Sequence, residues 1–390
     1  MNIVKRELYS EIEPYIHSPE AIVITGMRRT GKTTLLRMIF DEIESGNKLF
    51  LDLENPLNQK YFLNENYDAI LPSLAGLGIR SDRKAYLFLD EIQSLPNIPA
   101  VIKYLSDHFD VKFFLSGSAS FYLKNLFSES LSGRKFLFEL HPFSFQEFLR
   151  FKNVPAPILP NDGSVSDATH LRYDGLFDEY LRYGGFPAVV AEEAHEGKLR
   201  KLDDIFSSYW SLEVERLSDF RKKDKVRDLI FLLLGRTGSR LDVAKLSREI
   251  GVAQRTLFDY LAFFEDTYLI STVSPFSRNP DTEIRGAKRL YFIDTGLLNH
   301  FGKVPEGDIF ENACYTALCR RGEVRYYQKK SGQEIDFILD EAKAFEAKLS
   351  AQSHDVAVLS RRTHALGIDD YSVISKTFSK ADHVTFGFLL

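Results

Sequence analysis

Cysteine, tryptophan and methionine are scarce in this sequence, with two, one and three copies in 390 residues. The two cysteines, Cys314 and Cys319, stand five apart on a predicted helix and point in different directions. They exclude a disulfide framework and a cysteine zinc site, and a reducing, cytoplasmic setting is expected. Long hydrophobic runs are also missing. The longest, "LIFLLL" at 229–234, falls far short of the roughly 20 residues that a membrane span needs, so no membrane partner is expected. The opening "MNIVKRELYS" has no apolar stretch, so no secretory signal is expected. Positive charge is not in excess: 50 Lys and Arg against 55 Asp and Glu leave −5. The chain is therefore no polycation, and any nucleic-acid surface must be a local patch. Internal repeats and low-complexity tracts are missing too. What remains is a 44% hydrophobic, 27% charged globular sequence, long enough for two to four domains.

Short apolar runs alternate with helical patterns in the first third. "AIVIT" at 21–25, "LFLDLEN" at 49–55, the start of "KAYLFLDEIQSLPN" at 84–97 and "VKFFLSGSAS" at 111–120 read as strands. The segments opening with "KTTLLRMIF" and "IPAVIKYLSDHFD" read as helices. This order predicts a parallel sheet covered on both faces. "HPFSFQEFLRFK" reads as a helix, 153–170 as a loop, and helical patterns resume from 171 to 235. Three helical segments follow, with Gly251 in the turn between the second and third. "STVSPFSRNP" after them is a candidate wing, which suits a winged helix-turn-helix. From 290 onward α/β character returns: a helix at 309–321, then strands "VRYYQ", "EIDFIL", "AFEAKLS", "YSVIS" and "VTFGFLL".

"GMRRTGKTT" fits G-x-x-x-x-G-K-[ST] without mismatch, after a strand and opening a helix. Gly26 and Gly31 let the backbone curl so that N–H groups point at phosphate oxygens, and the helix N-terminus favours negative charge. Lys32 would reach the β and γ phosphates of ATP, and the Thr33 hydroxyl would ligate Mg²⁺. Arg29, Thr30 and Thr34 complete the candidate contacts. Asp90 ends an apolar strand, where its carboxylate can hold the Mg²⁺ shell, and Glu91 can polarise the attacking water.

A second constellation lies in "GQEIDFILDEAKAFEAKLS", residues 332–350. Alternation puts Glu346 and Lys348 on one face of their strand. If the two strands form a hairpin around 340–342, an odd-numbered loop brings Asp336 onto the face of Glu346, whereas a two-residue loop would oppose them. Two carboxylates beside a lysine can bind a hard cation, Mg²⁺ or Mn²⁺, for phosphodiester cleavage. Glu311, on the preceding helix, is a further candidate carboxylate. The catalytic candidates here are Glu311, Asp336, Glu346 and Lys348, with Asp336 and Glu346 as metal ligands.

On these motifs residues 1–220 resemble AAA+ ATPases. The resemblance implies that Ser116, in "LSGSAS", senses the γ-phosphate, with Ser118 as alternate. It also implies that Arg134, in "LSGR", reaches into a neighbouring subunit and that Pro187, in "GGFP", packs near the adenine. Residues 290–390 resemble the PD-(D/E)xK nuclease fold. The whole set, with "HPFSFQEF", "YFIDTGLLNH", "EN", "EIDF" and "FEAK", resembles the bacterial and archaeal AAA+ ATPases that carry a winged-helix segment and a nuclease-like C-terminal domain. The expected organisation is an α/β chain: a P-loop AAA+ core at 1–150, a helical lid at 151–222, a winged helix-turn-helix at 223–283, and a restriction-endonuclease-like domain at 284–390. The resemblance implies ATP binding, DNA as partner and, by analogy, a hexameric homo-oligomer. Gln254, Arg255 and Thr256 open the third helix of the helix-turn-helix and are candidate base contacts, and the basic run 221–227 is a candidate phosphate contact. The expected activity is ATP hydrolysis on DNA with metal-dependent cutting. The alternatives are a DNA motor or junction remodeller that does not cut, or a nucleotide-dependent switch.

Overall fold

A computed structural model describes residues 4–117, 133–159, 165–215, 220, 222–277, 286–329 and 331–390. The chain divides into two compact units: 1–141 with Asp266–Tyr268, and 142–265 with 269–390. No helix among the described residues is long and apolar enough to cross a membrane.

The first unit is built on five parallel strands. They are β1 (Ala21–Thr25), β2 (Lys48–Asp52), β3 (Ala85–Asp90), β4 (Val111–Ser116) and β5 (Lys135–Glu139), in the order β2-β3-β4-β1-β5. Helix α1 (Lys32–Glu42) follows β1, and α2 (Ile98–His108) precedes β4. The sequence explains why both faces are covered. Successive side chains alternate, so Val23, Leu87, Leu89, Phe113 and Leu115 join one apolar cluster while Ile22, Ile24, Phe88 and Phe114 join another. Phe88 stacks on Phe114 across neighbouring strands, with ring centroids 4.4 Å apart. All phosphate-loop and acid positions fall at the carboxyl ends of these strands, where α/β sheets open their crevices. Tyr268, from the far-removed piece of this unit, shares a 2.5 Å hydrogen bond with the Thr25 hydroxyl at the end of β1.

The second unit contains helices α3 (Phe145–Phe151), α4 (Asp167–Tyr183), α5 (Pro187–Val190) and α6 (His195–Tyr209). Helix α4 starts inside the segment read from the sequence as a loop. Ser166 explains this, because its side chain accepts from the Thr169 amide and caps the helix. Next come α7 (Lys223–Leu234), α8 (Val243–Ile250) and α9 (Gln254–Asp266). Asp242 caps α8, and Gly251 closes it with a left-handed φ of 72°. Strands β6 (Ile270–Val273) and β7 (Arg289–Phe292) form a two-stranded antiparallel sheet. Helix α10 (Glu306–Leu318) is fixed to β7 by buried Asn312, which accepts from the Phe292 amide at 2.8 Å and donates to its carbonyl at 2.9 Å. A mixed sheet completes the unit: β8 (Val324–Gln328), β9 (Glu334–Leu339), β10 (Lys343–Lys348), β11 (Asp370–Ser375) and β12 (Val384–Phe386), ordered β12-β11-β10-β9-β8. Helix α11 (Ser353–His364) links β10 to β11.

Two stretches noted in the sequence meet at one buried carboxylate. Asp294 Oδ2 accepts from the Gly185 amide at 2.7 Å, and Oδ1 accepts from Gly296 and Leu297 at 2.9 and 3.1 Å. A Cβ on Gly184 would stand 2.1 Å from Asp294 Oδ1, and one on Gly296 would stand 2.1 Å from the Tyr183 carbonyl. "GGFP" and "YFIDTG" are thus the two halves of one joint.

Burial pushes the Asp294 carboxyl up to about 6, against three amide donors that hold it down. Its folded pKa exceeds its ordinary value, so the unfolded chain ionises first, and stability from this group is lost as pH rises from about 4 to about 6. Comparison of unfolding free energy with the Asp294→Asn variant across pH 3.5–7 should show the wild type losing roughly 3 kcal/mol relative to the variant over that window. Asp294→Ala leaves the three amides unpaired and should destabilise by at least about 2–3 kcal/mol at pH 7.

Candidate functional site

The phosphate loop connects β1 to α1. Gly26 has φ 141°, Arg29 φ 70° and Gly31 φ 100°. A Cβ on Gly26 would lie 2.2 Å from the Leu140 carbonyl oxygen, so only glycine fits beside the chain leaving β5. Gly31 starts α1 without a side-chain cap, which leaves the first helical amides for an anion. Lys32 is buried and donates to the Gly26 and Met27 carbonyls at 2.8 and 3.0 Å. Thr30 is buried and holds the loop by donating to the Met27 carbonyl at 2.9 Å, and Arg6 donates to the Thr30 carbonyl at 2.8 Å. Arg29 and Thr34 are exposed.

Across from the loop, Asp90 ends β3 and is buried. Its carboxylate hydrogen-bonds the Thr33 and Ser116 hydroxyls. Burial raises its pKa, opposed by those two hydroxyls. Ser116 also accepts from the Glu91 amide at 3.2 Å. Glu91 itself has φ 54°, a left-handed conformation uncommon for glutamate, and its carboxylate accepts from Gln93 Nε2. An uncapped helix start, a lysine, a hydroxyl and a carboxylate are the donor set that a nucleotide triphosphate and a hard cation require, so these residues fit a Mg²⁺–nucleotide. Ser118 lies outside the described residues.

Arg134 pairs with Asp107 at 3.1 Å and precedes β5, its carbonyl accepting from the Ala21 amide. It therefore sits at the amino-terminal edge of the parallel sheet, one strand length away from its own phosphate loop, roughly 16 Å for five residues. Pro187 opens α5 in the second unit.

In the second unit, β9 and β10 are joined by residues 340–342, a three-residue loop, and pair antiparallel with Phe345 opposite Phe337. Asp336 and Glu346 are the next residues outward and share a face. Within this odd-numbered loop Asp340 and Glu341 both take left-handed conformations, with φ 48° and 58°. Lys348 Nζ lies 3.0 Å from Glu346 Oε1. Asp336 Oδ2 accepts from the Ala347 amide at 3.0 Å. Glu311, on α10, accepts from the Tyr291 hydroxyl at 2.8 Å.

Sequence reasoning missed the cations that face this group. Arg289 on β7 is buried; its Nη1 stands 3.8 Å from Glu311 and 3.6 Å from Asp336, and its Nη2 pairs with Glu334. Arg362 on α11 stands 3.5 Å from Glu346. The available signal was physical: carboxylates in apolar strands demand a counter-charge, and Arg289 stands at the head of the apolar "LYFI". Burial and then the Asp336 charge push Glu311 up to about 8 and Glu346 up to about 7. Burial also raises Asp336. Burial works against the Lys348 charge, but Glu346 outweighs it and holds the ammonium above its ordinary range. No group of three or more His, Cys, Asp or Glu among the described residues is disposed to hold a metal ion. With a guanidinium reaching both Glu311 and Asp336, this arrangement does not fit a divalent ion as it stands.

Gln254 and Arg255, at the start of α9, are exposed, while Thr256 is half-buried. Arg221, in the basic run, lies outside the described residues.

Residues 18–149 match the family described as AAA domain. The first unit is thereby similar to AAA domains. Residues 174–308 match a domain of unknown function (DUF8612), which spans both halves of the Asp294 joint. Among curated relatives, the uncharacterised protein MJ1544 of Methanocaldococcus jannaschii is 27% identical over 81% of this chain and 71% of its own. An uncharacterised protein of Haemophilus influenzae is 26% identical over 82% and 79%. Among solved structures, the Walker-type ATPase paby2304 of Pyrococcus abyssi is 18% identical, covers 77% of this chain and 96% of its own, and has a TM-score of 0.45. The Aeropyrum pernix ORC1 protein in complex with DNA is 14% identical, covers 74% and 88%, and has a TM-score of 0.31.

Ser116 ties the Asp90 carboxylate to the Glu91 backbone, so Ser116→Ala should leave Asp90 on Thr33 alone and release the Glu91 amide without touching the phosphate loop. Nucleotide affinity should change less than about threefold while phosphate release falls at least about tenfold. Parallel binding and turnover measurements check the split.

Proposed function

We propose that this protein is an AAA+ ATPase that hydrolyses ATP and acts on DNA in the cytoplasm. The observation that carries the proposal is the hydrogen-bonded set Thr33–Asp90–Ser116–Glu91 beside buried Lys32, at the carboxyl ends of parallel strands. Lys32 exchanges two loop carbonyls for phosphate oxygens. Thr33 and Asp90 hold the cation. Bound Mg²⁺ neutralises charge developing on the phosphates. Glu91 orients water, and Ser116 fixes the acid backbone from which Glu91 projects. The order of α7–α9 followed by β6 supports a winged helix-turn-helix at 223–283, although residues 278–280 of its candidate wing lie outside the described residues. Exposed Gln254 and Arg255 at the start of its third helix support contact with DNA. At −5 overall, binding through one such face would be strongly salt-dependent.

For the C-terminal sheet, the paired Asp336 and Glu346 with Lys348 and Glu311 support descent from a nuclease-like fold. The Arg289 contacts favour a non-cutting role, a motor or switch whose C-terminal fold is a platform, over metal-dependent cleavage.

ATP binding and phosphate release, with and without duplex DNA at low salt, test the reading. Lys32→Ala should lose binding. Glu91→Gln should bind ATP and retain it, with turnover lowered at least about a hundredfold, and DNA should stimulate the wild type but not Arg255→Ala. Wild-type turnover in Glu91→Gln would overturn the assignment of Glu91.

Assembly has its own test, because Arg134 is remote from its own phosphate loop and a catalytic role requires a neighbouring subunit. Arg134→Ala should bind ATP without turnover, and mixing it with Lys32→Ala should restore part of the activity. Specific activity independent of protein concentration in a monomer would exclude the shared site.

A further inference from the structure

We propose that Arg289 is the built-in cation of the Glu311–Asp336 pair, beside Glu346. Its guanidinium holds the position of a divalent ion, and such an ion binds only where Arg289 is withdrawn. This goes beyond the ATPase reading and does not depend on it.

The first argument is charge. Four carboxylates, Glu311, Glu334, Asp336 and Glu346, crowd this face with three cations, Arg289, Lys348 and Arg362. Lys348 and Arg362 serve Glu346. Arg289 is the cation shared by the other three acids. Arginine cannot shed its proton in a protein, so burying it obliges it to keep carboxylate partners. Its side chain is only 4% exposed, and its Cζ lies 4.6 Å from the centre of the Tyr326 ring.

The second argument is incomplete satisfaction. Nη1 reaches Glu311 and Asp336 at 3.8 and 3.6 Å, beyond hydrogen-bonding distance. Arg289 Nε and Glu346 Oε2 are both buried without a hydrogen-bond partner. A cluster evolved purely as a structural ion pair would close these bonds, because an unmade buried bond is costly. Carboxylates spaced for a spherical ion and then faced by a planar guanidinium would leave such gaps.

The third argument is the location of Arg289. It lies on β7, opposite Val273 of β6, and bridges to Arg240 ahead of α8. Its backbone therefore belongs to the two-stranded sheet beside the helix-turn-helix, and its side chain to the acid cluster. A displacement of β7 would carry the guanidinium with it. Cation occupancy of the cluster and the position of this strand are then linked, each biasing the other.

The test is Mn²⁺ binding to the nucleotide-free full chain, followed by the electron paramagnetic resonance of free Mn²⁺, with circular dichroism to confirm folding. Arg289→Gln should gain a site at least about tenfold tighter than any in the wild type, and adding Asp336→Asn should abolish the gain. Glu334→Gln removes the anchor of Nη2 at a position one-third exposed, and should produce a smaller gain in a chain that keeps its fold. Arg289→Lys, which keeps a positive charge, should resemble the wild type. Equal Mn²⁺ affinity in wild type and Glu334→Gln, lost on Asp336→Asn, would show that metal and Arg289 coexist and would overturn the proposal. Folded Glu334→Gln and Arg289→Gln chains with no gain would overturn it equally.

Discussion

A charge taken out of water must find its partner inside the protein, and Lys32, Asp90, Asp294 and Arg289, among the buried charges of the described residues, show how. Lys32 leans on the carbonyls of its own loop. Asp90 collects two hydroxyls, and Asp294 collects three amides. Arg289 gathers three carboxylates. For Asp90, Asp294 and Arg289 at least one partner comes from a distant stretch of chain, so satisfying the charge also fixes the distance between elements. The solutions differ in kind. Three neutral amide dipoles bond Asp294 and make a joint. Neutral loop carbonyls satisfy Lys32 in a way that phosphate oxygens could replace, as the proposed nucleotide site requires.

The phosphate loop was legible in the sequence because its parts are local. Strand, glycines, lysine and helix follow one another within "AIVITGMRRTGKTT", and the physics that positions them acts within a few residues. Asp90–Glu91 could be placed at the end of a buried strand for the same reason. The facing of Asp336 and Glu346 could be posed only as a condition on loop length, since one residue more or less inverts a hairpin's faces. The pairing of Lys343 with Leu339 shows the length to be three residues, through Asp340 and Glu341 in left-handed conformations that the sequence does not demand of them.

What stayed hidden was non-local. Arg289 and Asp336 are separated by 47 positions (336 minus 289) and meet only because β7 and β9 are brought together by the fold. "GGFP" and "YFIDTG" read as separate marks, and nothing in either says that one supplies amides and the other the carboxylate. Composition did carry a hint. Acids embedded in apolar strands imply a cation nearby, and the sequence offered Lys348 as the visible answer while Arg289 and Arg362 were further off. Helix α4 was obscured for a smaller reason: Ser166 is a loop-forming residue and a helix cap at once.

Tyr268 has a consequence for how this protein is made. Its hydroxyl closes a hydrogen bond on Thr25, immediately before the phosphate loop, yet it is translated long after β5 has left the ribosome. The first unit is therefore not a contiguous piece of chain. A nascent chain that has reached only His141 holds every strand of the parallel sheet but lacks the residue that finishes the end of β1. Thr25 therefore meets its partner only once the chain between His141 and Tyr268 has been made. Domain dissection meets the same boundary: a fragment ending at His141 is a nearly complete sheet with an unpaired threonine hydroxyl at the mouth of its loop.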